Sequence, residues 1–154
     1  MIDLATLATL EHDRTTAPLE EWPYPITSEV VARIIHRGEP QAWQRPIVVR
    51  AEGGLRTITP AATLHAERAL AGDLLLALNG IKPDPGGAFG LRARFHLGNR
   101  RRVDLDNLLK IVMESLSRTV MADDRQVVEV YASKILRDPD PRTEMIVYRL
   151  GVYR

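Results

Sequence analysis

Apolar residues along this chain switch between alternate-residue spacing and spacing of three to four, and each switch marks an element. Phe89, Leu91, Ala93, Phe95 and Leu97 alternate with Gly90, Arg92, Arg94 and His96, which predicts a strand with one apolar and one basic face. Leu70, Ala71, Leu74, Leu75 and Leu78 recur at helical spacing. Thr59-Pro60 should open that helix, threonine capping free N–H groups and proline pre-setting the first turn, and Asn79-Gly80 should close it. A second helix is expected over about Asn107 to Arg118, where Leu105, Leu108, Leu109, Val112, Met113 and Leu116 follow the i, i+3, i+4, i+7 pattern. The β-branched residues between Ser28 and Arg37 predict a strand, and IVVR, a Gly53-Gly54 turn and LRTI predict a hairpin. Val127 to Leu136 and Met145 to Val152 close the chain as strands, while GEPQAWQRP and KPDPGG read as loops.

Together these elements predict an α+β fold, a single compact domain with a small mixed β-sheet and two main helices, which 154 residues are enough to build. Residues 1–27 are acidic and carry Pro18, Pro23 and Pro25, so they are expected to form an arm, with 28–154 as the folded domain. No apolar run is long enough to span a bilayer, and the start of the chain lacks the pattern of a signal peptide. The expectation is a cytoplasmic protein without a membrane partner. The absence of cysteine excludes disulfides, thiolate zinc sites and thiol nucleophiles, which leaves oxygen and imidazole for any metal chemistry. His12, His36, His65 and His96 are scattered without ligand spacing, and Gly86-Gly87 lacks the lysine and threonine of a phosphate-binding loop, so neither zinc nor a nucleotide cofactor is expected.

The net charge of +1 conceals an asymmetry, because Arg92, Arg94, Arg100, Arg101 and Arg102 sit together with no acid among them. Beside that basic run lie Asp104 and Asp106 in VDLDNLLK, and Asp123-Asp124 in MADDRQVV, at the two ends of the second helix region. Asp104 and Asp106 converge if the helix starts at or after Asp106, since residues two apart share a side only on extended backbone. Asp106, Lys110 and Glu114 form a polar stripe at intervals of four. Each feature has an ordinary use: an aspartate before a helix is commonly its cap, a pair of aspartates a turn, and an Asp106–Lys110 pair a surface ion pair. Their combination suits Mg²⁺, with Mn²⁺ as the substitute, and phosphoryl transfer to water, with Lys110 balancing charge in the transition state.

The segment RRRVDLDNLLKIVMESLSRTVMADDRQVVEVYASK closely resembles the RusA family of Holliday-junction resolvases. The family's Asp-x-Asp-Asn-x-x-x-Lys pattern, its acidic-x-Leu helix end and its Asp-Asp-x-Gln fall on Asp104, Asp106, Asn107, Lys110, Glu114, Leu116, Asp123, Asp124 and Gln126, and GEPQAWQRP is similar to its early loop. The resemblance implies a homodimeric, Mg²⁺-dependent endonuclease that makes paired nicks in four-way branched DNA during recombination and repair. It assigns metal binding to Asp104, Asp106 and Asp124 with Asp123 in support, and catalysis to these and Lys110. Arg45, Arg92, Arg94, Arg100, Arg101 and Arg102 are then the candidate DNA contacts. The chain departs from the family in having Glu at 114, Val at 103 and Ala42-Trp43-Gln44 where a lysine is common. The alternative is a non-catalytic branched-DNA binding protein of the same fold.

Overall fold

The structure is a computed structural model that describes residues 27–99 and 102–152, so the expected arm lies outside the described residues except for its last position. Strands β1 (Val30–Arg37), β4 (Gly87–Leu97), β5 (Val127–Leu136) and β6 (Arg142–Val152) form one sheet in the order β1-β6-β4-β5. β2 (Ile47–Ala51) and β3 (Gly54–Ile58) pair as a separate hairpin. Because β4 runs parallel to β5 and antiparallel to β6, the sheet is mixed, and with α1 (Ala61–Leu78) and α2 (Leu105–Leu116) the domain is α+β as the pattern predicts. Neither helix is long and apolar enough to cross a membrane, among the described residues.

Alternation along β4 decides how the layers pack. Phe89, Leu91, Ala93, Phe95 and Leu97 are buried with Leu70, Leu74 and Leu78 of α1 and with Leu108, Ile111, Val112 and Leu116 of α2. Both helices therefore cover one sheet face, and β4 is the central strand beneath them. On the opposite face Gly90 lies directly across from Tyr148 of β6. A Cβ at Gly90 would fall 2.2 Å from the Tyr148 ring, so the ring occupies the space a side chain would need. Gly90→Ala is expected to cost about 1–3 kcal/mol through overpacking, read as a lower midpoint of urea denaturation.

The helix starts differ from the predicted ones. Pro60, not Thr59, occupies the N-cap of α1, and no side chain caps it; the stop at Asn79 is as predicted, with left-handed φ of 47°. Helix α2 begins at Leu105, two residues early, because Leu105 and Leu109 pack against the core and draw the first turn with them. Asp104 becomes the extended N-cap residue and Asp106 a member of the first turn. Strand alternation therefore does not aim the two carboxylates together.

Candidate active site

The N-terminal end of α2 gathers one part of the predicted chemistry. Asp104 caps the helix position without a side-chain hydrogen bond to it, and Asp106 Oδ1 accepts from the Asn107 N–H at 2.9 Å. Both residues are exposed, and neither makes an ion pair among the described residues. Two uncompensated carboxylates beside a helix N-terminus, with exposed Arg102 just before them, form a place where a cation and a phosphate can be held together. A polar cleft of about 210 Å³ opens here, walled by Glu39, Gln41 and Gln44 on one side and Arg102, Asp104 and Asn107 on the other. A larger cleft of about 380 Å³ between the helices contains none of the predicted acidic residues.

Lys110 does not pair with Asp106 as the spacing suggested. Its Nζ stands 4.1 Å from the centre of the Trp43 ring, an arrangement in which the ring's electron-rich face holds the ammonium. The loop that supplies the ring is fixed at two points: Trp43 N–H donates to the Asn107 carbonyl at 2.9 Å, and Gln44 N–H to Thr63 Oγ1 at 3.0 Å. Trp43 was not among the predicted site residues, since nothing local in GEPQAWQRP says which helix the loop crosses. Nearby Glu67 is buried on α1, and that burial pushes its carboxyl pKa up although Arg118 lies 3.6 Å away.

The second acidic pair stands apart. Asp123 caps a short 3-10 helix (Asp124–Gln126) and binds both the backbone and the guanidinium of Arg125, which hold its carboxyl well below the usual carboxylate range. Asp124 is exposed and forms no ion pair among the described residues. Gln126 explains why a glutamine follows the aspartates. It is buried, its Nε2 donates to the carbonyls of Asp84 at 2.7 Å and Gly87 at 2.8 Å, and its Oε1 accepts from Ala122 and Asp123 N–H groups. One amide thus locks the Asp123-Asp124 turn to the start of β4.

That lock places the two acidic groups at opposite ends of the sheet. Val127, next after the 3-10 helix, pairs with Phe89 at the start of β4, whereas Lys134 pairs with Phe95 and donates to the Val103 carbonyl at 2.6 Å, beside Asp104. Along β5 those anchors are seven residue steps apart, roughly 23 Å at about 3.3 Å per residue. Among the described residues no three His, Asp or Glu side chains come close enough to hold a metal ion. The donors have the right chemistry for a hard divalent cation, and the described residues of one chain do not bring them together.

The basic face of β4 also differs from expectation. Arg92 is 4% exposed and lies against the rings of Tyr131 and Tyr148, at 5.3 and 5.7 Å from their centroids. Arg94 is 3.9 Å from Glu144, and His96, which shares this face, is buried between Asp138 at 2.7 Å and Glu144 at 3.2 Å. Burial, reinforced by a hydrogen bond to Glu129, pushes the Tyr148 hydroxyl up to about 12. This face is an internal charge network in which Arg92 is buried and Arg94 is largely covered. Arg45 and Arg102 are exposed, while Arg100 and Arg101 lie outside the described residues.

A family model described as endodeoxyribonuclease RusA matches residues 37–148, from the end of β1 to within β6. No curated protein matches the chain.

Proposed function

Because this chain belongs to the RusA endodeoxyribonuclease family, we propose that it resolves four-way DNA junctions by paired, Mg²⁺-dependent nicks in recombination and repair, with Mn²⁺ able to substitute. The observation that carries the proposal is the N-terminal end of α2, where exposed, uncompensated Asp104 and Asp106 sit beside Arg102 and a polar cleft. Asp104, Asp106 and Asp124 would hold the metal, and Asp123 keeps its turn in shape through Arg125. When bound, a divalent cation supplies a more acidic water and a polarised phosphoryl oxygen. The chain's own groups do the rest. The helix N-terminus and Arg102 orient the phosphate, Arg45 with Arg100 and Arg101 hold the flanking backbone, and Lys110, steadied by Trp43, offsets the negative charge that develops on the reacting oxygens.

The separation of the acidic groups supports a homodimer as the working unit. β5 is an edge strand with exposed Val128, Val130 and Leu136, and an unpaired edge of that kind favours another strand. Antiparallel pairing of two β5 edges about a two-fold axis sets the Asp124 end of one chain against the Asp104 end of the other. Two mixed sites then face the two equivalent strands of a junction.

Incubating the protein with a labelled four-way junction tests the proposal. Symmetric nicks with Mg²⁺ and none with EDTA are expected. Binding without cutting under both conditions would leave a branched-DNA binding protein, and no binding at low salt would remove both readings.

A further inference from the structure

The β2–β3 hairpin leaves large apolar groups in water on both of its faces. Ile47 and Ile58 are 54% and 45% exposed on one face, and Val48 and Leu55 are 64% and 73% exposed on the other. The register interleaves these with arginine, setting Arg50 opposite Leu55 and Arg56 opposite Val49. From Arg45 to Ile58 three arginines face a single acid, Glu52, and none of the four makes an ion pair among the described residues. An isolated two-stranded ribbon is only marginally stable in water, so this one is built to lie against something.

Its root shows where that something must pass. Gln44, one residue before Arg45, lines the cleft that Asp104 also lines, and its backbone is tied to α1 through Thr63. The hairpin therefore projects from the mouth of the acidic site. Five residues per strand reach about 17 Å, the length of about five base pairs. A second copy of the hairpin would oppose net positive charge with net positive charge. A DNA arm offers phosphates to the arginines and sugar and base surface to the apolar groups.

We propose that the β2–β3 hairpin is a DNA-gripping arm, in which Arg50 and Arg56 bind phosphates flanking the cut position and Leu55 and Val48 seat against bases and sugars exposed near the branch point. The inference rests on the nuclease reading and adds to it a second contact zone beyond the cleft. The test measures junction binding in EDTA, where no cutting intervenes, across a series of salt concentrations. R50A/R56A is expected to bind about tenfold more weakly, with the salt slope shallower by about two. L55S is expected to lose affinity for the four-way junction and not for plain duplex, and to abolish the fluorescence change of 2-aminopurine placed at the branch. Unchanged affinity and slope in R50A/R56A would overturn the arm, and so would conversion of a dimer to a monomer by either variant in sedimentation, since the hairpin would then serve a second copy. Wild-type cutting of the same junction with Mg²⁺ separates failure of the arm from failure of the nuclease reading. If the wild type neither binds nor cuts, both fall.

Discussion

With asparagine at position 106, the protein should hold a four-way junction as tightly as before and cut it at least about 10²-fold more slowly. Asp106 is exposed in the first turn of α2, and its carboxylate contacts only the next backbone N–H, so no core packing depends on it. The fold loses at most the interaction of one negative charge with the helix dipole, about 0.3–1 kcal/mol. Asparagine keeps an oxygen in place but removes the charge that a divalent cation needs. The groups proposed to hold phosphate, Arg45, Arg102 and the α2 N-terminus, are untouched, and loss of an acid beside them cannot weaken their hold on an anion. Gel-shift affinity and single-turnover cleavage, with a thermal melt to confirm folding, read the three quantities apart. Normal cutting by this variant would remove Asp106 from the reaction.

What the sequence made legible was set by local rules. Alternation located β4, and three-to-four spacing located α1 and α2, because a residue's own neighbours determine which way it points. The left-handed stop at Asn79 and the hairpin turn at Gly53-Gly54 were legible for the same reason. The basic face of β4 was placed correctly on one side of the strand, but what covers it was not legible. Its cover comes from Tyr131, Asp138, Glu144 and Tyr148, far onward in the chain, and strand alternation carries no information about them. Lys110 poses the same problem: its spacing from Asp106 suggested a pair, and the indole it meets arrives on a loop from before α1. The acidic residues were placed at the two ends of the second helix region but were combined into one metal site. Yet the separation was itself within reach of the sequence, since a twelve-residue helix is about 18 Å long and Asp104 and Asp124 flank it.

That separation leads to the sharpest expected result: two inactive variants, Asp106→Asn and Asp124→Asn, should recover cleavage when combined in one dimer. If each site draws Asp104 and Asp106 from one chain and Asp124 from its partner, a heterodimer contains one site with both substitutions and one with neither. Random assembly from equal amounts makes about half of the dimers mixed, so about one quarter of the sites in the population are intact. If every site lay within one chain, each site of the heterodimer would carry one substitution, and mixing would restore nothing. The product also distinguishes the cases. A single intact site per dimer should nick a supercoiled cruciform plasmid and leave open circles, whereas the wild type, with two, should proceed to linear DNA. Co-expression with different affinity tags isolates the mixed dimer, and the two parental homodimers supply the baseline. Activity no higher than that baseline would confine each site to a single chain, and would require the Asp123-Asp124 turn to act elsewhere than at the α2 N-terminus.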